Sequence, residues 1–160
     1  MYARILIGVI AVTVIAISFS YHLASAVVGK QQSFEQQVRQ WTADRTTITE
    51  IHTIDEYRGK KTYAVVTGKN KSGTKVAAWM TSDDLVFGLL EKAVSREKVT
   101  ELVMKENAKA NIKNIVLGLD GEQRFWEVVF VDHEQRYNYA YYDFYSGKKL
   151  KSYKLSPIHL

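Results

Sequence analysis

Few side chains in this 160-residue sequence are arranged for chemistry. The four histidines lie far apart, at His22, His52, His133 and His159. Glu50 and His52 would share one face of a strand, and His133 stands between two acids, so a metal ion could be imagined at either place. Because neither place offers a third and a fourth ligand, the sequence predicts solvated surface and no metal site.

Catalytic groups are also missing from the sequence. Two carboxylate pairs, Asp55-Glu56 and Asp83-Asp84, could act as acid and base. Neighbouring residues of a strand point to opposite faces, which separates the first pair, and the second pair fits the first turn of a helix, where acids are favoured. The chain has no cysteine and none of the serine-hydrolase, zinc-protease or phosphate-loop motifs. The sequence therefore predicts no enzyme, no catalytic residue, no cofactor and no small-molecule substrate.

Tyrosine is concentrated near the carboxyl end of the chain, where it alternates with other residues. In a strand, Tyr137, Tyr139, Tyr141 and Tyr145 would share one face, and Tyr142 would lie on the other. One interpretation buries both faces, one in the core and one against the other half of the protein. The other interpretation leaves an exposed aromatic patch for a protein partner, and its candidate residues are Tyr137, Tyr139, Tyr141, Tyr145 and Trp79.

Lysines are grouped in the segment that follows. Lys148, Lys149, Lys151 and Lys154 form the candidate electrostatic surface. Lysines on an edge strand commonly keep it from aggregating, and the alternative is weak attraction to anionic lipid head groups or anionic wall polymers. The net charge of the whole chain is only +5, which is too small and too dispersed for a nucleic-acid footprint. We therefore expect no nucleic-acid partner.

The amino-terminal segment indicates where the protein resides. It carries Arg4 and then no further charge until Lys30. As a helix, residues 5–28 would span about 36 Å, enough to cross a hydrocarbon core of about 30 Å, and the positive start favours a cytoplasmic amino terminus. The sequence predicts a single-pass anchor in the cell membrane over residues 1–29, with an extracytoplasmic body. The alternative is a signal peptide that is cleaved near Ala26, which would release a secreted body.

The rest of the chain consists of two segments of similar length and pattern. In the first, Phe34, Val38 and Trp41 form the apolar stripe of an amphipathic helix. Three strand-like runs follow at residues 48–57, 62–69 and 75–81, and polar turns that contain glycine separate them.

The second segment repeats this order. Ser95 is placed to cap a helix whose apolar stripe includes Val99 and Val103. Strand-like runs follow at residues 112–120, 124–132 and 136–145, and a last short strand is expected at 149–155. Between the two segments, Ser82 and the apolar positions Leu85 and Leu89 predict a connecting helix at residues 82–94.

An alignment of the two segments predicts an internal repeat. It places Tyr63-Ala64-Val65-Val66 on Trp126-Glu127-Val128-Val129, and Val76-Ala77-Ala78-Trp79 on Tyr139-Ala140-Tyr141-Tyr142. Each half has about 60 residues and would be marginally stable alone, so we expect the two halves to pack together. The predicted domains are an anchor at 1–29, a first repeat at 30–81, the connecting helix at 82–94 and a second repeat at 95–160.

The second half resembles a known domain. Phe125-Trp126-Glu127-Val128, followed by Tyr141-Tyr142-Asp143-Phe144-Tyr145-Ser146-Gly147-Lys148, is similar to the PepSY domain, whose last hairpin ends in an aspartate and then a glycine turn. An anchor followed by two such units, with Thr62-Tyr63-Ala64-Val65-Val66-Thr67-Gly68 and Lys71-Ser72-Gly73-Thr74 in the first, resembles the TseB-like (YpmB-type) family of Gram-positive bacteria.

This resemblance covers residues 1 to about 155 and implies both a fold and a function. The implied fold is α+β: a transmembrane helix precedes two PepSY-like repeats, and each repeat is a helix packed on an antiparallel meander of three to four strands. The implied function is non-enzymatic regulation of cell-wall (peptidoglycan) synthesis during elongation, through contact with a class B penicillin-binding protein. Other PepSY proteins suggest an alternative, an inhibitor or folding aid of a secreted peptidase.

Overall fold

The computed structural model describes residues 2–155, and it describes side chains at 14–20, 25 and 28–155. In this range it contains two α-helices, α1 (Tyr2–Arg45) and α2 (Arg96–Glu106). The strands are β1 (Ile48–Arg58), β2 (Thr62–Asn70), β3 (Lys75–Met80), β4 (Leu85–Leu89), β5 (Asn111–Asp120), β6 (Gln123–Val131), β7 (Tyr137–Asp143) and β8 (Lys149–Lys154). The chain divides into two units, Met1–Gln40 and Trp41–Leu160.

The first unit is helical throughout its described part, and α1 passes residue 29 without interruption. Most side chains of the predicted anchor, residues 1–29, lie outside the described residues. Where side chains are described, the structure contains no helix that is long and apolar enough to cross a membrane. The apolar side chains that it does describe in this segment, Val14, Ile15, Ile17 and Phe19, are all exposed.

In the second unit, the last turns of α1 are held by hydrogen bonds. The Arg45 guanidinium donates to the carbonyl oxygens of Thr81, at 2.6 Å, and Asp84, at 3.2 Å. Beyond the helix end, the Thr46 hydroxyl donates to the Thr42 carbonyl at 2.7 Å and accepts the Ile48 amide at 3.1 Å. These bonds end the helix, start β1 and tie both to the turn after β3.

The eight strands form two antiparallel sheets of the same topology. The first sheet has the order β1-β2-β3-β4, and the second has the order β5-β6-β7-β8. The predicted strand positions are confirmed to within about two residues for β1–β3 and β5–β8. The α+β class is also confirmed, with four strands in each sheet.

The helix predicted at residues 82–94 is wrong. The Thr81 hydroxyl accepts the amides of Asp83 at 3.2 Å and Asp84 at 2.8 Å, and the Thr81 amide donates to the Asp84 carbonyl at 3.0 Å. These bonds form a tight turn where the sequence suggests a helix cap. Leu85–Leu89 then returns along the free edge of β3 as β4, and only one 3₁₀ turn, Leu90–Lys92, follows.

Helix α2 forms as the sequence predicts. The Ser95 hydroxyl accepts the Lys98 amide at 3.1 Å, which satisfies a free donor of the first turn. Val99 and Val103 are fully buried in one hydrophobic core that also includes residues of both sheets. The expectation that the two halves pack together is therefore confirmed.

Strand β5 lies against the first sheet, beside β1 and β2. It is an edge strand, and its Leu117 carbonyl accepts the indole N–H of Trp79 from β3 at 3.3 Å. The Trp79 ring packs edge-on against Phe144 at 5.6 Å, and Tyr57 of β1 packs edge-on against Phe125 of β6, also at 5.6 Å. Such edge-to-face pairs contribute about 0.5–1.5 kcal/mol each beyond their buried area.

Candidate partner-binding surface

The outer face of the second sheet carries most of the candidate tyrosines. In β7, Asn138, Ala140 and Tyr142 are buried, while Tyr137 and Tyr139 point to the other side and are exposed or half-buried. The predicted alternation along this strand is therefore confirmed. Because Lys151 pairs with Tyr141 and Tyr153 pairs with Tyr139, β8 adds two further side chains. We call the surface made by Tyr137, Tyr139, Tyr141, Lys151 and Tyr153 the tyrosine face.

Trp79 does not belong to an exposed patch, and its prediction as a partner-binding residue is wrong. Its side chain is fully buried. All residues of β3 from Val76 to Met80 are buried, so both faces of this strand are covered. The indole contacts the second sheet from inside the core.

Tyr145 lies beyond the end of β7, in the turn that leads to β8. It is 45% exposed, and its ring packs edge-on against Phe144 at 4.8 Å. The strand alternation that would place it beside Tyr141 stops at Asp143. Tyr145 is therefore accessible, but it belongs to the turn and not to the tyrosine face.

Tyr141 stands at the centre of the tyrosine face. Its ring makes edge-on contacts with Phe125 at 5.4 Å and with Tyr153 at 6.0 Å. Glu127 lies directly opposite it on the neighbouring strand β6, and the Tyr141 hydroxyl interacts with this carboxyl group. The ammonium of Lys151 lies 4.7 Å from the Tyr141 ring centre and 5.6 Å from that of Tyr153, a cation–π arrangement.

Partial burial raises the pKa values of several groups around Tyr141. Burial raises the pKa of Glu127 above its usual range, although the neighbouring Tyr141 hydroxyl and Lys151 ammonium oppose the shift. Burial also raises the pKa of Tyr57 to about 12, with a further contribution from Glu127. The pKa of Tyr141 is raised by burial and by Glu127. Tyr57 and Tyr141 are therefore neutral at physiological pH.

The four predicted lysines do not form one cluster. Lys149 contacts Glu106 at the end of α2, with 2.6 Å between the ammonium and the carboxylate oxygen. Lys151 lies over the tyrosine rings. Within residues 41–155, Lys148 and Lys154 form no ion pair, and both are exposed. The four lysines therefore lie on both faces of β8 and in the turn that precedes it.

The turn before β8 is organised by Asp143. One of its carboxylate oxygens accepts the amides of Tyr145 at 3.2 Å and Ser146 at 2.8 Å, and the Ser146 hydroxyl at 2.7 Å. The bond from the Ser146 amide is the largest cause of the lowered pKa of Asp143. Gly147 follows with φ of +68°, a conformation that glycine adopts without strain. The Asp-to-Gly pattern behind the PepSY resemblance is therefore a turn-forming device.

Asp132 organises the turn between β6 and β7 in the same way. Its Oδ1 accepts the amides of Glu134 at 2.9 Å and Arg136 at 3.0 Å, and its Oδ2 accepts the Arg136 guanidinium at 3.0 Å. Desolvation favours the neutral acid, but these bonds and one from Asn138 outweigh it and hold the pKa of Asp132 well below its usual range. This carboxylate is fully used in holding the turn.

The remaining histidine candidates have local partners. His52 lies 2.9 Å from Glu50, and His133 lies 3.6 Å from Glu134. Over the described residues, no three or more metal-binding side chains come together.

Sequence reasoning missed two members of this surface. Tyr153 is more than half exposed, at 53%, and pairs directly with Tyr139. Glu127 lies between the apolar residues Trp126 and Val128 in the middle of β6. The signal for Tyr153 was its spacing of two residues from Lys151, which places both side chains on one face of a strand.

Fold and surface together define a class: a two-sheet α+β protein with one shared core and an aromatic, lysine-bearing outer face. Residues 43–81 match the family model described as "Cell wall elongation regulator TseB-like domain". The chain is 28% identical over 151 residues to the "Probable cell wall elongation regulator TseB" of Bacillus subtilis (strain 168), and the match covers 92% of each chain.

A solved structure agrees with this result. The "YpmB protein from Bacillus subtilis" superposes with a TM-score of 0.64 at 26% identity, covering 76% of this chain and 96% of that one. These matches confirm the family resemblance drawn from the sequence: the chain is similar to proteins of the TseB/YpmB type.

Proposed function

We propose that this protein is a non-enzymatic regulator of cell-wall elongation that acts by binding a component of the wall-synthesis machinery. The similarity to a probable cell-wall elongation regulator over nearly the whole of both chains supports this role. A class B penicillin-binding protein is the proposed partner. The two sheets, each a four-stranded meander after a helix, are proposed to be PepSY-like repeats.

The proposed location is the cell membrane, with a cytoplasmic amino terminus and an extracytoplasmic body. Support comes from the uncharged sequence after Arg4 and from the exposed apolar side chains of Val14, Ile15, Ile17 and Phe19. Exposed apolar stretches are unfavourable in water and favourable in lipid. Cleavage near Ala26 is the alternative, and amino-terminal sequencing of the membrane-extracted protein distinguishes the two.

The tyrosine face is the observation that supports partner binding best. Tyr137 and Tyr153 are 48% and 53% exposed. Tyr139 is the cross-strand partner of Tyr153, and Tyr137 and Tyr141 lie on either side of Tyr139 along β7. Tyrosine is enriched at the centres of protein interfaces because it buries a large ring and still offers a hydroxyl group. A charged pair, Glu127 and Lys151, lies within the same surface and can fix the orientation of a partner.

The test uses the full-length protein in lipid nanodiscs and a purified class B penicillin-binding protein. Replacing Tyr139 and Tyr153 together with serine is expected to weaken binding by about tenfold or more, or about 1.4 kcal/mol. Phe87→Ser is the matched control, because Phe87 is a 41% exposed aromatic residue on the first sheet. Equal losses in both variants would show that the tyrosine face is not the binding site.

A different result would favour the alternative function. If the wild-type protein binds no class B penicillin-binding protein but inhibits a secreted peptidase or assists its folding, the role of a PepSY-type peptidase partner replaces the one proposed. The same two variants then test whether that activity uses the tyrosine face.

A further inference from the structure

The edge strands of the two sheets differ in how their backbone groups are used. On β5, the Leu117 carbonyl accepts the Trp79 indole. On β4, the Phe87 carbonyl accepts the Arg124 guanidinium at 3.2 Å. Both edges are therefore partly closed by side chains from the opposite sheet, which is one way that proteins prevent further strand pairing.

Strand β8 is an open edge. All six of its residues are exposed. Tyr153 pairs with Tyr139, and the Leu155 amide donates to the Tyr137 carbonyl at 2.8 Å. Because hydrogen-bonded positions alternate along an antiparallel pair, the peptide groups of Ser152 and Lys154 point away from β7. Among the described residues, nothing bonds to this outer side of β8.

The charge along β8 selects what can pair with it. Lys149, Lys151 and Lys154 lie on the strand, Lys148 precedes it, and the strand contains no acid. Two copies of this edge would repel each other, since each would place lysines beside lysines. An acidic strand would instead be attracted, and lysine near opposite charge also speeds association.

We propose that the open edge of β8 receives an extended acidic segment of the protein partner as a fifth strand of the second sheet. This inference rests on the proposed function, because the occupant is a segment of the same wall-synthesis partner. Backbone hydrogen bonds to Ser152 and Lys154 hold the segment in register. Side chains of the segment on one face lie next to Lys151 and Tyr153, so the added strand is continuous with the tyrosine face.

Hydrogen exchange of the full-length protein in nanodiscs tests the proposal, with and without the class B penicillin-binding protein. The amides of Ser152 and Lys154 are expected to exchange at least about tenfold more slowly in the complex, because they become hydrogen-bonded. Binding without slower exchange at these amides overturns the strand addition and leaves the proposed function standing. Absence of binding overturns the proposed function, and the inference with it.

A pair of variants separates backbone pairing from side-chain contact. Ser152→Pro removes the outward N–H and leaves the ladder to β7 intact, since proline is tolerated on edge strands where the N–H faces solvent. It is expected to weaken binding by about tenfold or more, whereas Ser152→Ala stays within about twofold. Equal binding by both variants contradicts the proposal. Thermal unfolding of Ser152→Pro verifies that it folds.

Charge reversal provides a test that does not depend on proline. Lys148→Glu combined with Lys154→Glu alters two exposed side chains and is expected to reduce affinity by about tenfold, mainly through slower association. Raising salt from about 50 to about 500 mM should weaken wild-type binding and have less effect on the variant. Unchanged affinity contradicts an acidic occupant.

If the Ser152 and Lys154 amides are instead protected by raising the concentration of this chain alone, the occupant is a second copy and the proposal fails.

Discussion

The two sheets share a topology, but an equivalent cross-strand pair is buried in one sheet and half-exposed in the other. Asn70 and Asp132 accept amides in corresponding turns, two and four residues further along the chain. Counted from these turns, the cross-strand pair Val65–Trp79 of the first sheet corresponds to Glu127–Tyr141 of the second. The first pair is fully buried, and the second is half-exposed. One scaffold thus supplies a core sheet and a sheet with an outer surface.

The structural correspondence also corrects the sequence alignment by one residue. The sequence places Tyr142 on Trp79 and Val128 on Val65, but the turns place Tyr141 and Glu127 there. A shift of one residue exchanges the two faces of a strand. The residues that the sequence aligns therefore lie on opposite faces of their sheets, although all four are buried.

The largest expected effect contrasts a core aromatic residue with one on the tyrosine face. Trp79→Ala removes a buried ring, leaves a cavity beside Phe144 and deprives the Leu117 carbonyl of its donor. We expect it to lower the free energy of unfolding by about 3–5 kcal/mol. Tyr153→Ala, at an exposed position, should lower it by less than about 1 kcal/mol. Urea unfolding measures both, and similar losses would contradict the contrast between the sheets.

An intermediate effect contrasts the two turns under acid. The folded-state pKa of Asp132 is lowered, so its charge stabilises the fold above the unfolded pKa of about 3.9, and this contribution disappears as the pH falls towards the folded value. We expect the exchange protection of the Glu134 and Arg136 amides to begin to fall below about pH 4 and to decline further as the pH drops. The amides of Ser72 and Thr74 should keep theirs, because Asn70 does not titrate.

Asp132→Asn provides the control for this prediction. The amide oxygen of asparagine can keep both backbone bonds, while the charge that Arg136 neutralises is lost. The variant should be less stable at neutral pH, and its turn should show no change in protection between pH 5 and pH 3 (about the range of a free aspartate). Acid sensitivity that persists in the variant would assign the effect to another group.

The smallest expected effect concerns the centre of the tyrosine face. The folded-state pKa of Glu127 is raised, so its charged form weakens folding above that pKa, and the penalty shrinks as the pH falls from the folded pKa towards the unfolded one. Glu127→Gln should therefore raise the free energy of unfolding at pH 7 by less than about 1 kcal/mol, because water still screens the exposed part of the group. Urea unfolding at pH 7 and at acid pH should show the gain only at pH 7. A loss at pH 7 would mean that attraction to Lys151 outweighs burial.

Sequence patterns predict the elements whose pairing is local. The hairpins of β1–β3 and β5–β8 follow from alternating residues and turn signals, and Ser95 marks the start of α2 correctly. Strand β4 was missed because the spacing of Leu85 and Leu89 also fits a helix, and only the free edge of β3 decides between the two. Tertiary contact, which no local pattern encodes, overrides propensity there.

The candidate surface could be predicted in outline. Strand alternation identifies Tyr137, Tyr139 and Tyr141 as one face. It cannot show that Trp79 is buried. The residues that pack on this face of β3, such as Leu117 and Phe144, are distant in the sequence. It also cannot reveal that the Lys151 ammonium lies over two tyrosine rings, since that depends on the register between β7 and β8.

The bond from the Trp79 indole to the Leu117 carbonyl has a consequence for dissecting the molecule. A fragment that begins after β4 would contain a complete four-stranded sheet, yet the side of β5 that now rests on the first sheet would be bare. Such a fragment would expose the apolar core of the interface and an unblocked strand edge, and it would associate with itself. The two sheets are therefore inseparable halves of one folding unit, whatever their similarity as repeats.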